Sequence, residues 1–370
     1  MADRQPVAVL LGTRPEAIKL APVILELQAR GVSTLVLSTG QHAEMVHQML
    51  APFGVRPDRD LALMRAAQSL DYVLSASVEG VGRFIGDERP AIVVVQGDTT
   101  STLGAALAAY HAGVGVAHVE AGLRSHHPRL PFPEEMNRRL TSQLTRWHFA
   151  PTAQAAENLR AEGITEHVYV TGNTVVDAVR MILAREPPLP AELEDFVTAG
   201  PFILATAHRR ESWSGEIEHV ARALRAALEA LPAHRLVFAT HPNPVAREPI
   251  ERVFDGDPRA RLVQSIDYPA FLRLQSDAEL LVTDSGGIQE EGATLGVPVV
   301  VTREVTERQE GVAAGAVRLV GTDEDEIVAA VVELVTDGGA RQAMTAASRE
   351  LYGDGRSAHR IVDVLAAELG

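Results

Sequence analysis

The amino-acid sequence predicts an α/β protein made of two Rossmann-like, doubly wound domains facing a cleft. Three observations predict it: short, almost uninterrupted apolar runs, longer amphipathic stretches between them, and a proline-rich break after which the alternation starts again. Apolar runs of this kind suit parallel strands covered by helices on both faces. In the first series they are Val7–Leu11, Thr34–Ser38, Ala91–Val95, Val114–Val119, Trp147–Ala150 and His167–Val170. Helical patterns run from Ala17 to Arg30 and from Ser101 to His111. The break is Pro187-Pro188-Leu189-Pro190. The second series is Phe202–Thr206, Leu236–Ala239, Arg261–Val263, Leu280–Thr283, Pro298–Val301 and Val317–Val320. Two such series imply two doubly wound domains, and 370 residues are enough for two. The boundary is set near Gly172–Asn173. Residues 1–172, joined by a returning helix at 356–370, form the first domain, and residues 173–355 form the second.

Composition narrows the function. With 34 basic and 49 acidic residues the chain carries a formal charge of −15, which argues against nucleic acid or an anionic membrane as partner. No cysteine is present, which excludes disulfides, thiolate zinc sites and a cysteine nucleophile. The short apolar run at the N-terminus meets Gly12 and charged residues without a small-residue cleavage site, so it reads as a strand rather than a signal peptide. The stretch Leu103–Val119 is interrupted by His111, Gly113, Gly115 and His118, too often for a membrane span. A cytoplasmic protein is expected. The histidines show no HExxH or other metal-ligand spacing, so no metal is expected.

Open α/β sheets bind ligands beyond the carboxyl ends of their strands, and the informative residues follow the apolar runs. After the first strand comes Gly12-Thr13-Arg14-Pro15-Glu16-Ala17-Ile18-Lys19. Thr13 and Glu16 fit a capping box, Pro15 suits a first helical turn, and the free N–H groups with Arg14 and Lys19 make a phosphate site or an ordinary solvated cap. Asp284-Ser285-Gly286-Gly287 opens another helix, where two glycines let a diphosphate approach the backbone, with Glu291 one turn on. A plain strand–helix turn is the alternative. In Gln96-Gly97-Asp98-Thr99-Thr100, Asp98 is either a helix cap or an acid/base. In His118-Val119-Glu120-Ala121-Gly122-Leu123-Arg124, Glu120 either pairs with a cation such as nearby Arg124 or carries a raised pKa and a task. Glu134 and Glu135 in Pro133–Arg138 sit where a helix dipole favours acids regardless of function. His208-Arg209-Arg210 suits a diphosphate or a salt-bridged loop, and His241-Pro242-Asn243-Pro244 is equally open.

Taken in order, these segments resemble the non-hydrolysing UDP-N-acetylglucosamine 2-epimerases. The resemblance runs through GTRPEAIK (Gly12–Lys19), GDTT (Gly97–Thr100), HVEAGLR (His118–Arg124), PEEMNR (Pro133–Arg138) and TGNT (Thr171–Thr174). It continues with AHRRE (Ala207–Glu211), TDSGGIQEE (Thr283–Glu291), TER (Thr306–Arg308) and YGDG (Tyr352–Gly355). The resemblance implies a glycosyltransferase-B-like fold, a homodimer, and interconversion of UDP-GlcNAc and UDP-ManNAc for cell-surface polysaccharide. It implies that Arg14, Lys19, His208, Ser285, Gly286, Gly287, Glu291 and Arg308 bind UDP and that Phe271 lines the uracil pocket. It makes Asp98, Glu120 and Glu134 the acid/base group beside His208, with Asp98 and Glu120 also against the substrate. It places Gln41, Glu135, Arg209 and His241 at a second, activating UDP-GlcNAc site. There the match is incomplete, because Glu44 stands where a neutral or basic residue is expected and Ala67 where some members have Arg. Arg308-Gln309-Glu310 and Gly292-Ala293-Thr294 also depart from the family's Arg-Pro-Glu and Ala-Pro-Ser, differences expected to touch loop stiffness.

The chemistry agrees with this inventory. Inverting C2 of the sugar needs transient oxidation or elimination. Oxidation would need a nicotinamide, and no G-x-G-x-x-G is present, so no cofactor is expected. Elimination needs a base for the C2 proton and cations for departing UDP, with an acid/base on the opposite face. A hydrolysing epimerase, a glycosyltransferase of the same fold and a non-catalytic sugar-nucleotide sensor are the competing readings.

Overall fold

The computed structural model describes residues 5–40, 43–63, 65, 68–207 and 215–370. Two compact units emerge: residues Met1–Met181 with Tyr352–Gly370, and Ile182–Leu351. The sequence reading set the corresponding breaks at 172/173 and 355/356.

The first unit alternates strand and helix: β1 Val7–Leu11, α1 Arg14–Ala29, β2 Thr34–Ser38, α2 Ala43–Leu50, β3 Arg59–Asp60, α3 Leu70–Glu88, β4 Ile92–Gln96, α4 Thr100–His111, β5 Gly115–Val119, α5 Glu134–Leu144, β6 Trp147–Ala150, α6 Ala153–Ala161, β7 Val168–Val170 and α7 Thr174–Leu183. Its seven strands pair in the order β3-β2-β1-β4-β5-β6-β7, all parallel. The direction of winding reverses between β1 and β4. Strands β1, β4 and β6 are buried along their whole length, as their apolar composition requires of a sheet covered on both faces.

The second unit repeats the plan: α8 Ala191–Thr198, β8 Phe202–Ala207, α9 Glu216–Ala230, β9 Arg235–Thr240, α10 Pro244–Val253, β10 Ala260–Gln264, α11 Tyr268–Asp277, β11 Leu280–Thr283, α12 Gly286–Leu295, β12 Val299–Val301, α13 Gln309–Ala313, β13 Arg318–Leu319, α14 Glu324–Thr336 and α15 Gly338–Ser348. The six strands are again parallel, in the order β10-β9-β8-β11-β12-β13, and the reversal falls between β8 and β11. One core, including Leu224, Leu236, Phe238 and Val331, lies on one side of this sheet, and another, including Phe196, Leu204, Phe271 and Val299, on the other.

The closing helix, α16 Ser357–Leu369, belongs to the first unit and packs on α1. Asp177 accepts from the N–H groups of Ser357 at 3.2 Å and Ala358 at 3.1 Å, satisfying two donors at the helix start. Arg30 pairs with Asp363 at 2.6 Å, and the Asn173 N–H donates to the Tyr352 carbonyl at 2.7 Å. Strand β3 was not anticipated.

Candidate functional site

Among the described residues, polar side chains singled out from the sequence follow the carboxyl ends of central strands in each unit. In the first unit, α1 begins at Arg14, directly after β1. The Glu16 carboxylate turns back and accepts from the N–H groups of Gly12 at 2.5 Å and Thr13 at 2.7 Å, the reciprocal half of a capping box. A turn further on, Lys19 is 4% exposed and ion-paired to Glu120. Glu120 follows β5 in a left-handed conformation, φ 66°, that a residue with a side chain adopts at a cost. The Gln96 amide, at the end of neighbouring β4, donates to the same Glu120 oxygen at 2.9 Å. Thus Lys19 and Glu120, predicted in different roles, stand together.

Arg124, the partner weighed for Glu120, is elsewhere. Its guanidinium forms a two-pronged pair with Glu162 at 2.9 and 2.7 Å. The same correction applies to the cap weighed for Asp98. Helix α4 is capped by Thr99, whose hydroxyl accepts from the Thr102 N–H at 3.1 Å, and Asp98 is not used for it. Asp98 is held instead by Arg138, through Nε at 3.0 Å and through Nη2, while Asn137 donates to its carbonyl at 3.0 Å. Arg138 is itself 3% exposed and reaches Glu135 at 3.3 Å.

Glu134 and Glu135 open α5 and differ in environment. Glu134 is half-buried, whereas Glu135 is fully enclosed and accepts from the Ser125 N–H at 3.0 Å. With Arg138 and Arg139 also beside it, Glu135 belongs to an internal ion network. Behind Gly97, His118 is buried, donates from Nε2 to the Gly97 carbonyl at 2.7 Å, and is pushed down to about 3 by that burial. It stays neutral and braces the turn that presents Asp98.

In the second unit, Ser285 is the N-cap of α12 through its backbone, and Gly286 and Gly287 form the first turn, whose N–H groups no preceding helical carbonyl can reach. A Cβ on Gly286 would lie 2.7 Å from Arg308 Nη1, so glycine lets that guanidinium rest against the loop. A Cβ on Gly287 would meet nothing nearer than Ser285 Oγ at 3.9 Å, which leaves that backbone approachable. Arg308 is aimed by Glu290 at 2.9 Å and by Glu307. Glu291 accepts from Tyr268 Oη at 2.8 Å and from Gln275 Nε2 at 2.7 Å. Phe271, one turn after Tyr268, is 7% exposed and packed in the core, so at most a ring edge is offered outward. His241 is partly buried, and its Nδ1 accepts from the Asn243 N–H at 3.0 Å at the start of α10. Gly292–Thr294 lies inside α12 rather than in a loop, so its departure from the family pattern bears on helix packing.

His208, Arg209, Gln41 and Ala67 lie outside the described residues, as does the Glu44 side chain. Sequence reasoning missed Gln96, Arg138, Tyr268, Gln275 and Glu290. Gln96, Arg138 and Glu290 lie in or beside the motifs and Tyr268 and Gln275 in none of them, and with their partners Glu120, Asp98, Arg308 and Glu291 16 or more residues along the chain nothing local marks the pairing. Among the described residues no group of three or more His, Asp or Glu could hold a metal ion, and no helix is long and apolar enough to cross a membrane.

Two doubly wound parallel sheets in one chain, each with acids, cations and glycines beyond its strand ends, place the chain in the glycosyltransferase-B-like class of folds. A sequence-family profile for UDP-N-acetylglucosamine 2-epimerase matches residues 25–366, so this chain belongs to the UDP-N-acetylglucosamine 2-epimerase family. The UDP-N-acetylglucosamine 2-epimerase of Salmonella typhimurium is 43% identical over 97% of this chain and 98% of its own length. The crystal structure of the UDP-GlcNAc 2-epimerase from Neisseria meningitidis bound to UDP-GlcNAc superposes with a TM-score of 0.91 at 38% identity, covering 98% of this chain and all of the other. A putative UDP-N-acetylglucosamine 2-epimerase from Listeria monocytogenes gives 0.94 at 38% identity, over 100% of this chain and 97% of that one.

Proposed function

We propose that the chain is a non-hydrolysing UDP-N-acetylglucosamine 2-epimerase, an isomerase interconverting UDP-GlcNAc and UDP-ManNAc. The observation that carries the reading is the gathering of Arg14, Lys19, Asp98 and Glu120 beyond the ends of β1, β4 and β5 in a chain of this family. In the proposed reaction a carboxylate among Asp98, Glu120 and Glu134 takes the C2 proton. The electron pair of the C2–H bond forms the C1–C2 double bond, and the C1–O bond breaks with its electrons leaving on UDP. The products are 2-acetamidoglucal and UDP. Proton return to the opposite face of C2 and re-addition of UDP at C1 complete the epimerisation. In this proposal Arg14, Lys19, Arg308 and His208 supply the positive charge that stabilises departing UDP. The Gly286–Gly287 turn and Glu291 hold the diphosphate and ribose.

A homodimer is part of the proposal. Phe132, Met136 and Leu140, spaced by four, are 66, 39 and 47% exposed on and before α5, a stripe suited to a second copy. Light scattering should give twice the chain mass for wild type and the monomer mass for Met136→Glu with Leu140→Glu. A cytoplasmic location and a role in polysaccharide precursor supply complete the reading.

The deciding experiment is proton NMR of the purified protein with UDP-GlcNAc in heavy water, without nicotinamide. The expected result is UDP-ManNAc deuterated at C2 and loss of the C2 proton signal from UDP-GlcNAc. Free ManNAc with stoichiometric UDP would assign the hydrolysing reaction, and an unchanged spectrum despite UDP binding would reject epimerisation.

A further inference from the structure

A doubly wound sheet offers its ligand crevice where the winding reverses, beyond the carboxyl ends of the two strands involved. In the first sheet these are β1 and β4, and a protein carboxylate bridges the loops that follow them. Glu16 is 2% exposed. Its Oε2 takes the Gly12 and Thr13 N–H groups, and its Oε1 takes the hydroxyls of Thr99 at 2.7 Å and Thr102 at 3.1 Å. A capping box needs only the local bonds. The other two come from residues more than eighty positions away, at the start of α4. Burial raises the Glu16 pKa, and the bonds from Thr99, Gly12, Thr13 and Thr102 work in the opposite direction.

We propose that Glu16 is a positioning residue that staples the loop bearing Arg14 to the loop bearing Asp98. The proposal rests on the epimerase reading above. Arg14 precedes Glu16 by two residues, Lys19 follows by one turn, and Asp98 adjoins Thr99. Elimination requires the groups that take the C2 proton and those that receive UDP to act on one sugar together. Misplacement by about 1 Å can cost on the order of a hundredfold in rate. A staple between the two loops fixes that spacing without touching the substrate.

The substitutions separate its two legs. Thr99→Val removes the stronger leg on the α4 side and leaves the Gly12 and Thr13 N–H groups their acceptor. Because the Thr99 hydroxyl also caps α4, Thr102→Val is the companion that spares this cap. Glu16→Gln keeps one carbonyl oxygen for the backbone pair. The threonine hydroxyls can then turn, Thr102 having the Gln96 carbonyl at 2.9 Å. Glu16→Ala removes both legs.

The test uses the full chain and three readouts: UDP affinity by calorimetry, C2 proton exchange of UDP-GlcNAc by NMR, and backbone amide exchange by mass spectrometry. For Thr99→Val and Thr102→Val we expect UDP affinity within about twofold of wild type and C2 exchange reduced by about tenfold or more. Amides in residues 12–18 should exchange faster by about fivefold, although the substitution is in another element. Turnover of Glu16→Gln should fall between wild type and Glu16→Ala. Unaltered turnover with unaltered amide exchange overturns the proposal. So does UDP affinity lost in proportion to turnover, the signature of general loosening. If wild type itself exchanges no C2 proton, the epimerase reading fails. Amide exchange then decides the staple alone, faster exchange supporting it and unchanged exchange overturning it.

Discussion

Lys19 and Glu120 are 5 and 6% exposed at their side chains, and each offsets charge that the other has withdrawn from water. Removing one member of such a pair costs far more than the pair contributes, because the remaining charge stays buried. Glu120→Gln should therefore lower unfolding free energy by about 3 kcal/mol or more in urea denaturation, as well as abolishing C2 exchange. Arg138 argues differently. Its planar fork meets Asp98 through two nitrogens, which an ammonium cannot reproduce. Arg138→Lys keeps the charge but should reduce kcat by about tenfold with little change in UDP affinity, measured by NMR and calorimetry. Neither pairing was legible in the sequence. Glu120 lies 101 residues from Lys19, and the nearer cation, Arg124, is drawn to Glu162 once the chain turns through the positive φ values of Glu120 and Gly122.

Helix α12 shows how two glycines in one element serve different ends. A Cβ on Gly292 would lie 2.5 Å from Val299 Cγ2 and 2.8 Å from Leu281 Cδ1, so this residue lets the helix settle on the sheet. Gly292→Ala should cost about 1–3 kcal/mol in chemical denaturation. At Gly287 the space is open, and alanine should be neutral or stabilising by up to about 1 kcal/mol while weakening UDP binding. A stable protein with unaltered UDP affinity would count against the diphosphate assignment of this turn. At this scale the sequence was most readable. Twelve apolar runs became twelve strands with ends shifted by a residue or so, most plainly at β1, β4, β6 and β8, where burial on both faces leaves a continuous apolar signature. The thirteenth, β3, is Arg59–Asp60, two exposed charged residues at the sheet edge, and no hydrophobic pattern can announce it.

For the whole molecule the buried histidines set the response to acid. His118 is lowered to about 3, and His148 and His234 are lowered too, in each case mainly by burial. The unfolded chain thus binds protons below about pH 6.5 that the folded chain refuses, and stability falls with falling pH through that window. His118 by itself contributes a slope of roughly 1.4 kcal/mol per pH unit between its unfolded value and about 3. Glu16 and Asp177, both raised by burial, act in the opposite sense, since their folded forms take up protons before the unfolded chain does. The urea midpoint should drop between pH 7 and pH 5. His118→Gln, which keeps a donor for the Gly97 carbonyl, should flatten that drop, whereas an unchanged pH dependence would mean that His118 is not buried neutral.

The return of α16 to α1 has a further consequence for the order in which the protein can be made. Residues 182–351 are complete as a unit before the segment that closes the first unit has been synthesised. At ribosomal rates of about 5–20 residues per second, the face of α1 that receives α16 stays uncovered for on the order of ten seconds or more. The second unit can fold on the nascent chain during that interval. The first unit lacks its closing helix until synthesis reaches the last residues, so the apolar face of α1 that α16 covers stays open throughout.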